Sequence, residues 1–453
     1  IFINYMKYNK YNLKNDLTYI NIPKKNELIS VGFLVKVGSR DEDKKNNGIS
    51  HFLEHMLFKG TDQRPTPKDI AGELDEVGAY FNAYTDKNVT SYIVKVNSEY
   101  ANRGFNILSD MIVNSKIRPR DMVTEKNVVV EEINKSKDNP SEHIEELHYA
   151  LLFDKNPLGH SIGGDEAKIL GYPPKKVKEY YQQYYSSNNV VIATSSNLNL
   201  STIKKLIKNS YFPQLQSKNV QHIYPRLKNQ SKIKIKVEHR DLEQVHLNLG
   251  FPTCHMYHQD KYILDLVKII LAGNMSSRLF IDMREKHGLS YSVSVDFSTY
   301  ESTGHFSVKT SFDKQSLFIK EQSNPGSLDK ITKSQLINKP GGLTIILNNF
   351  KLLCNSLVSK DELEKVKGFI RGHLVIEKED SHSLTDYFGR QITQEFNPVV
   401  NFGYLLDQYD KVTPQMIRET CKKYFKKQHI NITIIGEYSE ENILHFIQKY
   451  YKN

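Results

Sequence analysis

The sequence predicts an α+β fold in which two homologous α/β halves, each a mixed sheet with covering helices, enclose a cleft. The first observation is an internal repeat. The segment PKKVKEYYQQYYSSNNVVI, which begins at Pro174, resembles PQMIRETCKKYFKKQHINI, which begins at Pro414, 240 positions later. The second observation is strand-type alternation, because apolar residues recur at every second position in ISVGFLVKV from Ile29 and in VHLNLG from Val245. Amphipathic helical patterns follow these strands, so each half combines a sheet with helices.

The repeat also sets the expected boundaries of the two halves. We expect an N-terminal half at residues 1–212, a linker at 213–232 and a C-terminal half at 233–453. Ligand sites favour the cleft between two such halves, so the residues that could perform chemistry are sought there.

The second half is expected to contain an insertion at about 313–342. The strand and helix that end at Gly60 resemble those that end at Gly273, which is a spacing of 213 rather than 240. The second half therefore has additional residues, and the segment at about 313–342 has the Ser, Asn, Pro and Gly content of a surface loop. The sequence does not indicate what this insertion does.

Composition excludes several classes of protein. The 453 residues are enough to bury several cores, so a metal would be catalytic rather than needed for folding. The net charge of +10 comes from basic residues interleaved with acidic ones, which argues against a nucleic-acid partner. No apolar run approaches the roughly 20 residues of a membrane span. The three cysteines are far apart and odd in number, which favours a reducing compartment such as the cytoplasm or a mitochondrial matrix.

The candidate site begins with the segment GISHFLEHMLFKGT at residues 48–61. Apolar residues recur at helical spacing and predict the face that packs on a core: Ile49, Phe52, Leu53, Met56 and Leu57. The other face carries His51 and His55, which are four residues apart and can present two imidazole nitrogens to one metal ion. Glu54 lies beside that ion, and Gly60 ends the helix.

A second helix is expected to complete the metal site. Two histidines need a third protein ligand to bind zinc with one position open, and a carboxylate is the usual complement. The pattern DMVTEKNVVVEEINK places Glu125 and Glu132 seven residues apart, hence on one helical face. One of them can bind the metal, with Glu132 the leading candidate, and the other can accept a hydrogen bond from a ligand imidazole.

The histidine motif by itself is weak evidence. A chain with sixteen histidines can contain H-x-x-E-H by chance, and a buried histidine pair is often structural. The amphipathic helix and the second, acidic helix favour a catalytic zinc site of the inverted type. The second half lacks a counterpart, because Gly372 lies 240 residues after Glu132 and the matching helix reads YILDLVKIILAG. We therefore expect one Zn²⁺ per chain.

Further motifs extend nearly from end to end of the chain. HFLEHMLFKGT is accompanied by GAYFNAYT from Gly78, NPLGHSIGG from Asn156 and MREKHGLSY from Met283. On these motifs the chain resembles the pitrilysin/insulinase family of zinc metallopeptidases, in particular mitochondrial processing peptidase β-subunits and small bacterial processing-peptidase-like proteins. The resemblance implies paired halves that form a chamber, with the metal site in the first half and a noncatalytic, substrate-contacting second half.

The resemblance also assigns roles residue by residue. The metal ligands match His51, His55 and Glu132, the general base matches Glu54, and the supporting acid matches Glu125. The implied activity is that of a zinc-dependent endopeptidase, in which Glu54 deprotonates a metal-activated water that attacks a peptide bond.

Substrate contacts are implied as well. Arg284 and Tyr291 match a catalytic pair from the second half that lies near the scissile bond. Glu142, Glu145 and Glu146 match acidic positions that bind a basic residue of the substrate, although an ordinary solvated helix face explains the same pattern. An edge strand that pairs with the substrate backbone matches Phe81, Asn82 and Ala83.

The expected partners are a peptide substrate and a second subunit. The chain has the length of half a chamber, so we expect a homodimer or a heterodimer with an α-like subunit. The alternative is a noncatalytic core or regulatory subunit of a processing peptidase or respiratory complex. Such subunits usually lose metal ligands, whereas this chain has the full set. A peptide-binding scaffold with an idle metal site is a third possibility, which zinc content would discriminate.

Overall fold

The computed structural model describes residues 7–222, 224–227, 229–322, 328, 331–396 and 398–451. These residues form a mixed α/β structure with two sheets, so the expected fold class is confirmed. The chain divides into two compact units. Unit 1 comprises Ile1–Lys135, His160–Ile223 and Gly372–Leu405, and unit 2 comprises Ser136–Gly159, Tyr224–Arg371 and Leu406–Asn453.

Each unit has one mixed sheet, and the two sheets share one topology. The described strands of unit 1 are β1 Asn9–Asn12, β2 Thr18–Pro23, β3 Leu28–Val35, β4 Tyr80–Thr85, β5 Thr90–Asn97 and β6 Val190–Ser196. Those of unit 2 are β7 Lys234–Glu238, β8 Gln244–Thr253, β9 Val293–Thr299, β10 Gly304–Asp313 and β11 Asn431–Ile435. The sheet orders are β1-β2-β6-β3-β5-β4 and β7-β11-β8-β10-β9. In each sheet one pair is parallel, β2 with β6 and β7 with β11, and the other neighbouring pairs are antiparallel. The repeat seen in the sequence is thus visible in the order and direction of five strands per sheet.

Helices connect and cover the strands. The described helices of the first part of the chain are α1 Ile49–Leu57, α2 Pro67–Asp75, α3 Ala101–Asn114, α4 Pro119–Asp138, α5 Pro140–Phe153, α6 Glu166–Gly171, α7 Pro174–Tyr184 and α8 Leu200–Asn209. Those of the remainder are α9 Asp260–Ala272, α10 Arg278–Phe280, α11 Lys333–Asn338, α12 Gly342–Asn355, α13 Lys360–Glu379, α14 Ser381–Thr393, α15 Phe402–Asp410, α16 Pro414–Tyr424 and α17 Glu440–Tyr450. In the described part of the chain, none of them combines the length and the apolar character needed to cross a bilayer.

Both faces of the unit 1 sheet are covered. Alternate side chains of β3 join a large core to which α1 and α3 contribute. The helix α14 packs on the opposite face, where Leu34 lies in a cluster with Leu384 and Phe388. A close approach is possible because β3 contains Gly32, where a Cβ atom would lie 2.8 Å from Thr385 Cγ2.

The compact units are not continuous along the chain. Ser136–Gly159, which carries α5, belongs to unit 2, where α5 packs on β8 and β11. Gly372–Leu405, which carries α14, belongs to unit 1. The continuous halves expected at 1–212 and 233–453, and the linker expected at 213–232, stay a prediction.

The expected insertion falls partly outside the described residues, which exclude 323–327, 329 and 330. Its described part contains α11 and an isolated β-bridge between Ile319 and Pro340. The extent of the insertion therefore stays a prediction, but part of it has defined structure.

Candidate active site

The helix α1 presents its histidines because its apolar face is buried. All five residues predicted to pack on the core are fully buried: Ile49, Phe52, Leu53, Met56 and Leu57. The helix begins after Gly48, whose φ of 93° lies in the left-handed region that favours glycine. A Cβ atom at Gly48 would lie 2.7 Å from the Gly163 carbonyl oxygen, so only glycine fits this helix start. His51 and His55 lie on the partly exposed remainder of α1.

A buried carboxylate caps the start of α1. Glu42 accepts hydrogen bonds from the backbone N–H of Gly48 at 2.7 Å and of Ser50 at 2.8 Å, and from Asn47 Nδ2 at 3.1 Å. These bonds satisfy N–H groups that a helix start otherwise leaves unpaired, and the carboxylate lies at the positive end of the helix dipole. Burial raises the pKa of Glu42 to about 7, although the hydrogen bonds oppose this rise. Glu42 therefore fixes the start of α1, the helix that carries both histidines.

The helix α4 supplies two carboxylates in different environments. Four apolar residues on one side of this helix are buried: Met122, Val129, Val130 and Ile133. Glu125 is 3% exposed, whereas the side chain of Glu132, two turns later, is 53% exposed. The predicted seven-residue alignment thus holds in the structure, with one carboxylate enclosed and the other open to solvent.

Three side chains converge on one point in unit 1. His51, His55 and Glu132 each offer one ligand atom, and these atoms all lie within 4.8 Å of one another. Glu132 Oε2 lies 3.5 Å from His55 Nε2 and 3.8 Å from His51 Nε2. Two imidazole nitrogens and one carboxylate oxygen are a donor set typical of catalytic zinc with one position open. The residues present therefore fit a zinc ion.

Glu125 holds one of the histidines in orientation. His55 Nδ1 lies 2.8 Å from Glu125 Oε1, and Lys59 forms an ion pair with the other oxygen of Glu125. Burial alone would raise the pKa of Glu125, but its bonds to His55 and Lys59 hold the pKa below its usual value. An ionised Glu125 accepts the Nδ1 proton of His55, which leaves the Nε2 lone pair for a metal.

The two histidines have different electrostatic surroundings. Burial, aided by His55, lowers the pKa of His51 to about 4. Burial would also lower the pKa of His55, but its hydrogen bonds to Glu125 and Glu132 outweigh that effect and raise the pKa to about 9. His51 is therefore neutral at pH 7, whereas His55 is protonated, and a metal ion at Nε2 would release the proton from that nitrogen.

Glu54 lies beside this cluster and is 8% exposed. Thr85, the last residue of β4, donates a hydrogen bond of 2.6 Å from its hydroxyl to Glu54 Oε2. Burial raises the pKa of Glu54 to about 7, and the bond from Thr85 opposes this rise. A carboxylate with a pKa near neutrality can both accept and return a proton.

The strand β4 is at an edge of the unit 1 sheet. Among the described residues it pairs with β5 and with no strand on its other side. It carries the residues predicted to pair with substrate backbone, namely Phe81, Asn82 and Ala83. An edge strand offers unpaired backbone groups to an extended peptide.

The remaining predicted residues belong to unit 2. Tyr291 is 83% exposed, and the guanidinium carbon of Arg284 lies 5.0 Å from the centre of its ring. Glu142 accepts a hydrogen bond of 2.8 Å from Asn139 near the start of α5. The roles of Arg284 and Tyr291 at the scissile bond, and of Glu142 and Glu146 in binding a basic residue, stay predictions. Glu145 forms an ion pair with the side chain of Lys309.

Sequence reasoning missed three residues that support the site: Glu42, Lys59 and Thr85. Lys59 and Thr85 lie inside the quoted motifs HFLEHMLFKGT and GAYFNAYT, so their positions were visible but their contacts were not. Glu42 had no usable signal, because a capping residue normally directly precedes its helix and Glu42 is seven residues before Ile49.

Comparisons with known proteins show which family this chain resembles. Residues 19–166 match the family described as Insulinase (Peptidase family M16), and residues 173–368 match the Peptidase M16 inactive domain. An uncharacterized zinc protease of Rickettsia felis is 36% identical over 316 residues, which are 68% of this chain and 75% of that protein. An uncharacterized zinc protease of Bacillus subtilis is 33% identical over 282 residues, which are 62% of this chain and 67% of that protein.

Solved structures show the same fold. A protease from Helicobacter pylori has a TM-score of 0.84 at 21% identity, covering 95% of this chain and 99% of that one. A peptidase M16 inactive domain from Pseudomonas fluorescens has a TM-score of 0.81 at 17% identity, covering 95% and 98%. The chain belongs to the insulinase family of peptidases, family M16. This membership supports a metallopeptidase function.

Proposed function

We propose that this protein is a zinc-dependent endopeptidase that hydrolyses extended, presequence-like peptide segments, with one Zn²⁺ per chain held by His51, His55 and Glu132. The observation that carries the proposal is the convergence of these ligand atoms within 4.8 Å, next to a buried glutamate. Zinc bound there supplies Lewis-acid chemistry, which polarises water and the peptide carbonyl.

Glu54 acts as the general base. Thr85 donates a hydrogen bond to Oε2 of Glu54, so Oε1 is the atom that accepts a proton from the attacking water. Burial keeps the pKa of Glu54 near 7, high enough for the carboxylic acid to exist briefly and return its proton to the leaving amine. Glu125 keeps the His55 ring in one tautomer and orientation, and Lys59 keeps Glu125 ionised.

The substrate binds as an added strand on β4. Backbone hydrogen bonds to Phe81, Asn82 and Ala83 select an extended segment without demanding a particular sequence. Arg284 and Tyr291 contribute a cation and a phenol that stabilise the oxyanion formed during hydrolysis. The reaction takes place in a chamber formed by the continuous halves 1–212 and 233–453 and by a second subunit.

The acidic side chains of α5 add a preference for basic substrates. Glu142 is exposed and Glu146 is partly exposed, and each offers a carboxylate to a lysine or arginine of the peptide. The second subunit is either another copy of this chain or an α-like partner. Sedimentation of the purified chain distinguishes these, because only the homodimer forms from one polypeptide.

Zinc content and peptide cleavage by the purified chain test this proposal. The expected result is one zinc per chain and chelator-sensitive cleavage of a basic, presequence-like peptide. Glu54→Gln retains zinc and loses cleavage, and Glu132→Gln loses zinc. Glu131→Gln, at an exposed neighbour on α4, is the matched control and retains both properties.

Three outcomes would contradict three different parts of the proposal. Absence of zinc under metal-replete conditions overturns the metal site. Near-normal activity of Glu54→Gln overturns the assignment of the base. Zinc without cleavage, both alone and with an α-like subunit, indicates the noncatalytic alternative.

A further inference from the structure

Unit 2 contains a pocket that the proposed peptidase site does not use. Its volume is about 460 Å³, and it is lined by residues of α11, α12 and α17 and by Tyr451. This volume falls within the range of about 300 to 1,000 Å³ that is typical of small-molecule sites. No residue of the proposed zinc site lines it.

The walls of the pocket are held by hydrogen bonds. Tyr450 on α17 donates a hydrogen bond of 2.9 Å to the Ile331 carbonyl, just before α11. Thr332 caps α11, and its capping box with Gln335 fixes the first turn. A β-bridge between Ile319 and Pro340 anchors the chain after α11. The short helix α11 is therefore a defined wall rather than a loosely attached loop.

The interior of the pocket is apolar. Leu347 from α12 and Phe446 from α17 are buried side chains of its lining, and Leu336 of α11 is partly exposed. Ile337, also in the lining, is 75% exposed, so this apolar side chain is open to solvent and available to a ligand. Burying an alkyl group against such a surface removes apolar area from water and therefore favours binding.

The charged residues of the pocket are all positive. Lys333, Lys351 and Lys449 contribute to the lining, and none of its eleven residues is acidic. In the described part of the chain, no carboxylate lies within 4.0 Å of the Nζ atom of Lys333 or Lys351, although ion pairs are numerous elsewhere. The pocket thus combines an apolar interior with the ammonium groups of Lys333 and Lys351, which no described acid neutralises.

We propose that this pocket binds an alkyl carboxylate with a chain of about the length of decanoate. The alkyl chain lies against Leu336, Leu347 and Phe446, and the carboxylate lies between the ammonium groups of Lys333 and Lys351. A small hydrophilic anion would leave the apolar lining uncovered, and a neutral hydrocarbon would not use the lysines. The described part of the insertion thereby acquires a role, because α11 forms one wall of the site.

Calorimetric titration of the full chain with monomeric octanoate and decanoate tests this assignment. Each buried methylene contributes about 0.8 kcal/mol, which is roughly a fourfold change in affinity, so decanoate is expected to bind about 15-fold tighter than octanoate. Decanol should bind at least about tenfold more weakly than decanoate, because it forms no charge-assisted hydrogen bond to lysine.

Two variants connect the binding to this pocket. Lys333→Gln with Lys351→Gln should weaken decanoate binding about tenfold or more. The matched control, Lys205→Gln with Lys208→Gln on α8, removes the same charge elsewhere and should leave binding unchanged. Ile337→Glu adds a negative charge at an exposed position, so it should abolish binding without affecting folding.

Several outcomes would overturn the proposal. These are no binding of decanoate at millimolar concentration, equal affinity for decanol, and unchanged affinity in both pocket variants. Binding to anionic phosphatidylglycerol vesicles without binding of monomeric decanoate would also overturn it, since that result indicates a membrane surface rather than a single-chain site.

Discussion

Replacing Glu42 by glutamine should alter how the stability of the protein depends on pH. Glu42 is 1% exposed and accepts three hydrogen bonds, two of them from backbone N–H groups at the start of α1. In Glu42→Gln an amide NH₂ replaces one acceptor oxygen, so one buried donor loses its partner. That loss costs about 1 to 3 kcal/mol.

The pH dependence follows from the buried carboxyl group. Burial raises the pKa of Glu42 from 4.5 to about 7 in the folded chain. As the pH rises through this window, the unfolded chain loses the proton first, so the free energy of unfolding falls. One pKa unit corresponds to about 1.4 kcal/mol, so Glu42 should lower the free energy of unfolding by about 2 to 3 kcal/mol between pH 5 and pH 8.

Urea unfolding followed by circular dichroism at pH 5 and pH 8 measures this effect. The change in the free energy of unfolding between the two pH values is measured for the variant and subtracted from that of the wild type. The contributions of other titrating groups then cancel. Glu42→Gln should lack the decrease of about 2 to 3 kcal/mol, whereas the exposed Glu131→Gln should retain it. Identical pH dependence in Glu42→Gln and wild type would refute the reasoning.

The remaining predictions concern the geometry around the proposed metal site. Thr85→Val removes the hydrogen bond to Glu54, so the pKa of Glu54 should rise and kcat/KM at pH 7 should fall about 10- to 100-fold. Thr85→Ser should restore the rate, and a pH–rate profile whose acid limb does not move would count against this role. Glu125→Gln should weaken zinc binding by about 10- to 100-fold in competition with a chelator, and unchanged affinity would show that the histidine needs no orienting partner. Gly48→Ala should destabilise the fold by about 1 to 3 kcal/mol, because its φ is positive and its surroundings leave no room for a Cβ atom. Gly72→Ala, where a Cβ atom meets nothing within 4 Å, should be neutral or stabilising, and equal unfolding midpoints for the two variants would contradict the argument.

Local patterns were sufficient to find the principal candidate residues. The apolar positions around His51 and His55 recur at helical spacing, and that periodicity depends only on which side of a helix faces a core. The same reasoning aligned Glu125 with Glu132. It could not predict that one carboxylate is enclosed and the other open, since exposure depends on what packs against α4.

Contacts between distant segments were not predictable in this way. Thr85 donates its hydrogen bond to Glu54 because β4 ends beside α1. Lys59 was inside a quoted motif, but its ion pair with Glu125 requires α4 to pass next to α1. No periodicity within one segment contains this information.

The sequence by itself determined the fold class, the family and the helical faces on which the candidate ligands lie. Those features follow from short-range spacing and from a repeat within the chain. Only the tertiary structure decided which segments form compact units, because α5 and α14 pack on sheets whose strands come from elsewhere in the chain. It also decided the burial of Glu42, Glu54 and Glu125, which shifts their pKa values, and it brought Glu54 and Glu125 to partners far away in the sequence. Burial and long-range hydrogen bonding arise only when the segments pack together, and for that reason they cannot be read from any one of them.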